Sequence, residues 1–580
     1  MLNSKSNDLT IEQRAFLDPQ NVVHRQYEAL RAYFVDKVPS NEVAKKFAYS
    51  PGSFRVLCCE FRKNPNRSFF LEPKRGPQVA PKKDDVRDQV IKMRKQNFSI
   101  YDIEEALKEI GKPLSRPSIS EILKEEGFAR LPRRNDEDRL PGIKPDKAPV
   151  ADVRNFQLEN HQFRTKFGGL FLFLPFLAQI PFDNIFSHFP MSEMIPAGHA
   201  MRALLALKLF GNARHSHVMS YVFDEGLALF AGLNVIPKRS FLTEYSCRIN
   251  PPLYAEVMKN WFDELSKIGL EQGASFDLDF HTIPFHGEEA LLQKHYVSKR
   301  SRKQKGLLAF LTWDAEKKYF CYVNGRVRKE DQNDEVLRFV EYWKERTGSY
   351  PEEIVFDSKL TTYTNLNKLN EMGIRFITLR RRSEVLLQKI YANPLSAWRR
   401  IQLENISREY RTPKIIDEKI MLKDYQGQLR QIALQDLGHE KPTLLITNQL
   451  NRSARKLVGR YAQRMIIENG IADSIDFFHM DALSSSVAMK VDCDLQLTLM
   501  ASSLYRLLGS QIGKGYETAK SRHIFRDFID AVATVSISEE IVTVKFQKKA
   551  HNPYLINTGF HEREWLIPWW NGRRLKFQFG

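Results

Sequence analysis

The sequence predicts a multidomain chain. An all-α N-terminal part of two tandem helix-turn-helix units precedes a mixed α/β domain with a strand-rich insertion. Three observations predict this. Two early stretches each repeat helix, turn, helix, turn, helix. From Ala274 the hydrophobic pattern changes from helical spacing to strand-like alternation. Strands and helices then follow one another, are interrupted over about 383–440, and resume at Thr443. A length of 580 residues suits three or four domains.

The first unit is placed in residues 1–70. YEALRAYFVDKVPSNEVAKKFAYSPGSFRVLCCEFRK reads as a helix, a turn at Val38, Pro39 and Ser40, a short helix from Asn41 to Phe47, a turn at Ser50, Pro51 and Gly52, and a last helix. Ser40 or Asn41 is expected to cap the middle helix and Ser50 the last. The second unit is placed in 84–134, where Ser99 starts one helix and Pro117 and Ser118 precede another. In a helix-turn-helix the last helix enters the major groove. The Pro- and Lys-rich stretch from Glu72 to Lys83 reads as a linker, and so does 135–150. Residues 1–150 hold 29 Lys and Arg against 22 Asp and Glu, a net charge of +7. Two tandem basic units of this kind point to DNA.

A mostly helical segment is expected over 151–270. Its apolar run, Phe167 to Phe182, is interrupted by Gly, Pro and Gln, and reads as a buried core helix with an adjoining turn rather than a membrane span. The mixed α/β domain is placed at 271–510. ASFDLDFHTIPFHG reads as a strand, Gly306 to Val327 as two strands around a turn at Ala315–Lys317, and Gln332 to Arg346 as a polar helix. PEEIVFDSK reads as a buried strand ending in Asp357, TTYTNLNKLNEMG as a helix closed by Gly373, and IRFITLR as the next strand. TLLITN resumes the sheet and leads into a helix from Arg452 to Asn469. Three adjacent strands and then strand–helix crossovers make a mixed sheet with an antiparallel start. The C-terminal region, 511–580, ends in a hairpin or small sheet and a cluster of tryptophans expected to pack a core.

The whole chain carries 88 Lys and Arg against 70 Asp and Glu, a formal charge of +18, which favours polyanionic partners. Its five cysteines form no C-x-x-C pair, which argues against a disulfide framework or structural zinc and for a reducing interior. The N-terminus shows no apolar signal region.

Three acids stand out by position. Asp279 lies in the first strand with Asp277 two residues earlier on the same face; Asp357 ends a later strand; Glu468 follows TLLITN on a helix. Ligands of open α/β sheets bind beyond such strand ends, and grouped carboxylates suit divalent cations that assist phosphoryl transfer. At helical spacing Tyr461, Arg464 and Glu468 share a face, with Met465, Ile466 and Ile467 free to pack against the sheet. An arginine there can grip phosphate and a tyrosine hydroxyl can donate to one. Two basic groups flank these elements: Lys299, Arg300, Arg302, Lys303 and Lys305 in a loop between the first two strands, and Arg380, Arg381 and Arg382 after the strand that follows Asp357.

Three stretches carry a family resemblance. DLDFHTIPFHG, VFDSKLTTYTNLNKLNEMGIRFITLRRR and LLITNQL…YAQRMIIEN resemble the catalytic blocks of the DDE transposases of bacterial insertion sequences, in the group with a Tyr-x-x-Arg-x-x-x-Glu signature. The resemblance spans roughly 274–510. It implies a ribonuclease-H-like catalytic domain whose triad is Asp279, Asp357 and Glu468. Thr282 matches the hydroxyl residue after the first acid, and Asp277 is the second choice for that acid. Tyr461 and Arg464 would hold a phosphate of the transposon end. The implied cofactors are two Mg²⁺ ions, with Mn²⁺ as a substitute. The implied partners are double-stranded DNA, as terminal inverted repeats and target, and a second copy in a homodimer on paired ends. The implied compartment is the bacterial cytoplasm, at the nucleoid. The signature's lysine, seven residues after the glutamate, is here Ile475. Two alternatives stay open: a metal-dependent nuclease that cuts without joining, and a non-catalytic DNA-binding regulator derived from a transposase.

Overall fold

The structure, a computed structural model, describes residues 16, 19, 21–66, 69, 81–96, 98–128, 147–284, 293–297, 302–357, 362–403, 411–437, 441–480 and 488–580. The chain divides into two compact units, Met1–Lys144 and Pro145–Gly580.

The first unit holds two small helical bundles with separate cores. Helices α1 (Val22–Phe34), α2 (Ser40–Lys46) and α3 (Pro51–Lys63) bury Ala29, Leu30, Val43, Phe54 and Leu57. The Ser50 hydroxyl accepts from the Ser53 amide at 3.1 Å, as its place before α3 requires. The middle helix starts one residue earlier than the sequence suggests. Pro39, at φ −55°, takes the cap position without a side-chain bond, so neither Ser40 nor Asn41 caps it. Helices α4 (Arg87–Lys95), α5 (Ile100–Glu109) and α6 (Arg116–Glu125) enclose Val90, Ile103, Leu107, Ile119 and Ile122. Ser99 and Asp102 form a reciprocal capping box at the start of α5.

The second unit contains two sheets. The larger joins β2 (Ser275–Pro284), β3 (Gln293–Val297), β4 (Arg302–Asp314), β5 (Tyr319–Val327), β6 (Glu353–Val355), β7 (Arg375–Leu379), β8 (Arg399–Arg400), β9 (Lys414–Ile420), β10 (Leu429–Gln435) and β11 (Thr443–Thr447). Its order is β3-β4-β2-β6-β7-β11-β10-β9-β8, with β5 also on β4. The three leading strands β2, β4 and β5 are antiparallel neighbours, while β6 and β7 run parallel to β2. This is the antiparallel start and crossover pattern read from the sequence. Helix α7 (Glu335–Thr347) links β5 to β6, and α8 (Tyr363–Glu371) links β6 to β7. Gly373 closes α8 at φ 75°, a left-handed conformation that glycine adopts without strain. The turn between β4 and β5 is held by Asp314, whose carboxylate accepts from the amides of Gly273, Glu316 and Lys317 at 2.7, 3.0 and 2.8 Å. The strands between 383 and 440 extend the main sheet beyond β11 instead of forming a sheet of their own.

The smaller sheet joins β1 (His161–Thr165), β12 (Ala533–Ile537), β13 (Ile541–Phe546), β14 (Glu564–Leu566) and β15 (Arg574–Phe579) in the order β1-β12-β13-β15-β14. Its first strand, β1, belongs to the segment expected to be helical, and it pairs with β12 of the C-terminal region. One apolar core runs from Ala148 to Phe577. Residues 151–270 and 511–580, set apart in the sequence reading, thus share one core with the main sheet. The apolar run is buried, but as a 3-10 turn, Gly168–Phe173, and a short helix, Leu174–Leu177. Its glycines allow close approach: a Cβ on Gly169 would stand 2.1 Å from the Ile529 carbonyl oxygen. Trp569 and Trp570 donate to the Phe230 and Leu229 carbonyls, in the core role expected of them. Among the described residues no helix is long and apolar enough to cross a membrane.

Candidate active site

Strand β2 alternates its side chains, so Ser275, Asp277 and Asp279 share one face. Its register with β6 is parallel, with Ser275 opposite Glu353 and Asp277 opposite Val355. Asp357 follows the last residue of β6 by two, so the same register carried two residues further ranks it opposite Asp279, which lies midway along β2. Thr282 follows Asp279 by an odd number of residues in an unbroken ladder and therefore faces the other side.

The helix after β11 is not continuous. The sequence suggests one helix from Arg452 to Asn469, but the structure breaks it into α9 (Ala454–Gln463) and α10 (Ile466–Asp476). Across the break, the amides of Arg464, Met465, Ile467 and Glu468 bond to the carbonyls three residues back, at 3.1, 3.3, 3.0 and 3.2 Å. This tightens the turn toward three residues per turn. Arg464 is thereby set over Tyr461, its Cζ 5.6 Å from the ring centroid. Of the three apolar residues here, Ile467 is buried in the core, Ile466 packs against it in part, and Met465 is 41% exposed.

Arg464 is buried, and its Nη1 lies 3.5 Å from Asp279 Oδ2. Its Nε and Nη1 have no hydrogen-bond partner among the described residues. Burial works against the Arg464 charge, but Tyr461, Asp279, Asp357 and Asp277 outweigh it and hold its pKa above the ordinary value. Burial likewise pushes the Asp279 carboxyl up; Arg464 and the Phe280 amide pull it down, and the carboxylates of Asp357 and Glu468 push it up further. Both Asp357 and Glu468 therefore act electrostatically on Asp279. Burial, aided by Asp357, moves the Tyr461 hydroxyl up to about 12, so it stays protonated and able to donate at neutral pH. Glu468 is exposed.

Asp277 has a different environment. It is 1% exposed, and its Oδ1 accepts from Arg460 Nη1 at 2.7 Å. Burial raises its pKa while Arg460 opposes the rise. Arg460 also bonds Glu353 at 2.9 Å and Ser275 at 2.9 and 3.2 Å. Glu353 in turn accepts from Gln449 at 3.0 Å and from Arg452. Sequence reading missed this network. Its signal is two arginines four residues apart, Arg460 and Arg464, on one face of a helix whose neighbours are apolar. Like charges so placed require acids opposite them.

Of the flanking cations, Lys299 and Arg300 lie outside the described residues. Arg302 and Lys303 begin β4, whose length makes this stretch strand rather than loop. Arg380 donates to Gln431 at 2.6 Å and Arg382 to the Pro442 carbonyl at 3.5 Å, while Arg381 is exposed and lines a cavity with Tyr363, Thr364 and Thr378. Ile475 packs against the core.

The residue types fit a hard divalent cation, since carboxylates are the oxygen donors such ions take, and the charges of Asp357 and Glu468 both reach Asp279. In the geometry described, Arg464 supplies the counter-charge, and among the described residues no three His, Cys, Asp or Glu side chains form a ready-made metal cluster.

No family model and no curated protein matches the chain. Among solved structures, it is similar to a piggyBac transposase synaptic complex with hairpin DNA at 12% identity and a TM-score of 0.33, covering 63% of this chain and 84% of that one. It is also similar to a pre-cleavage Mos1 transpososome at 9% identity and a TM-score of 0.13, covering 61% and 77%. Both scores are too low to carry an argument, so the functional reading rests on the site.

Proposed function

We propose that this chain is a DDE transposase with a ribonuclease-H-like catalytic domain. One observation carries the reading: Asp279 lies in β2, Asp357 follows the end of the neighbouring parallel strand β6 by two residues, and the tightened Tyr461–Glu468 turn brings Arg464 against Asp279 and Glu468 into its field.

In this reading Asp279, Asp357 and Glu468 hold two Mg²⁺ ions, or Mn²⁺ in their place, and Asp277 is committed to Arg460. Such ions, when bound, favour attack on phosphorus and stabilise the departing oxygen. The chain's own part is to position and to neutralise. Arg464, whose buried Nε and Nη1 have no hydrogen-bond partner among the described residues, grips a DNA phosphate, and the protonated Tyr461 hydroxyl donates to the same backbone. Two phosphoryl transfers follow. Water attacks the end phosphodiester, the P–O3′ bond breaks, and a 3′-hydroxyl is freed. That hydroxyl then attacks a target phosphodiester and displaces another 3′-oxygen. The N-terminal bundles bind the terminal inverted repeats, and the exposed Arg381 and Arg382 contact DNA backbone. Ile475 provides no phosphate contact, and exposed cations elsewhere serve instead.

The test is a joining assay on short linear DNA bearing the element's own ends, with Mg²⁺ and a target plasmid. Joined product is expected, and chelation abolishes it. Cutting without strand transfer would identify a nuclease; binding without cutting would identify a regulator. Undiminished cleavage by Glu468→Gln would reject the triad.

A further inference from the structure

The two candidate acids on neighbouring strands depend on a very short ladder. Strand β6 has three residues, and only three register pairs join it to β2. Asp357 lies two residues beyond the last of those pairs. A side-chain clamp lies immediately upstream on the same face. Arg460, 8% exposed, bonds Asp277 and Ser275 of β2 and Glu353 of β6. Ser275 closes the set by donating to Glu353 at 3.1 Å. Arg460 belongs to α9, the helix that leads into the turn carrying Arg464 and Glu468. One guanidinium therefore joins β2, which bears Asp279, the strand that leads to Asp357, and the helix that leads into the turn before Glu468. The planar fork suits this, since its donors point in fixed directions to several acceptors at once.

We propose that Arg460 is a positioning residue that fixes the spacing of Asp279, Asp357 and Glu468, and so sets the affinity of the site for divalent cations. This rests on the metal-site reading above. A purely structural ion pair would change stability and leave the folded site's affinity alone.

The test measures Mn²⁺ binding to the full chain without DNA by electron paramagnetic resonance, beside thermal unfolding. Three proteins are compared: wild type, Arg460→Lys, and the neutralised variant Asp277→Asn/Glu353→Gln/Arg460→Met, in which no buried charge is left without its partner. The neutralised variant is expected to melt near wild type yet bind Mn²⁺ about 10- to 100-fold more weakly, the range for groups that orient metal ligands. Arg460→Lys, which keeps the charge and loses the fork, is expected to fall between. Should the neutralised variant not fold, Arg460→Lys decides by its affinity at unchanged melting temperature. Wild-type affinity in a folded variant overturns the clamp alone. Absence of Mn²⁺ binding in the wild type itself overturns the metal-site reading, and the clamp's role with it.

Discussion

Arg464 Nη1 stands 3.5 Å from Asp279 Oδ2, and neither its Nη1 nor its Nε has a hydrogen-bond partner among the described residues. A buried guanidinium with donors to spare is expensive to keep unless an anion completes it. DNA phosphate is the anion the proposed function supplies.

Replacing Arg464 by alanine is therefore expected to lower single-turnover cleavage by about 100-fold, the range for removing a preorganised donor from a developing charge. Arg464→Lys should recover part of this, since it returns the charge without the fork. Equal rates for all three proteins would remove Arg464 from the chemistry.

Asp279 makes a pH-dependent prediction. Its folded pKa is raised, chiefly by burial, above the unfolded value. The folded state then holds that proton more tightly. The stabilising contribution is full below the unfolded value and is lost as pH rises through the folded one. Asp279→Asn stays neutral throughout. Its melting temperature should exceed wild type at neutral and higher pH, and the gap should close as pH falls toward the unfolded value of about 4. A gap of the opposite sign would mean that the attraction of Arg464 outweighs burial.

Asp277→Ala should behave unlike changes at Asp279. Removing one partner of a buried pair leaves Arg460 uncompensated and is expected to cost about 3–5 kcal/mol in urea unfolding. A loss below about 1 kcal/mol, the range of a surface ion pair, would contradict the burial of this pair.

Gly169→Ala tests how the early apolar run is locked to the C-terminal region. The added carbon would meet the Ile529 carbonyl oxygen at 2.1 Å. Backbone must shift, so a destabilisation of about 1–3 kcal/mol or more is expected from chemical unfolding. A neutral substitution would show that the 3-10 turn relaxes freely.

Local chemistry was legible in the chain. Alternation gave β2, Ser50 and Ser99 marked helix starts, and Gly373 marked the end of α8 because the left-handed turn there suits glycine. Asp357 was equally readable, since it follows directly from where the apolar run of β6 stops. The helix from Arg452 to Asn469 was legible as helix but not as broken, because periodicity is unchanged by one tightened turn.

What the sequence by itself determined were the elements, their order and the residues that could carry charge chemistry. Tertiary structure alone decided which of Asp277 and Asp279 is free of Arg460, that β1 pairs with β12, and that the strands of 383–440 extend the main sheet. The physical reason is range. Capping, alternation and glycine geometry act within a few residues, whereas strand partners and buried ion pairs join residues separated by hundreds, and only packing selects among them.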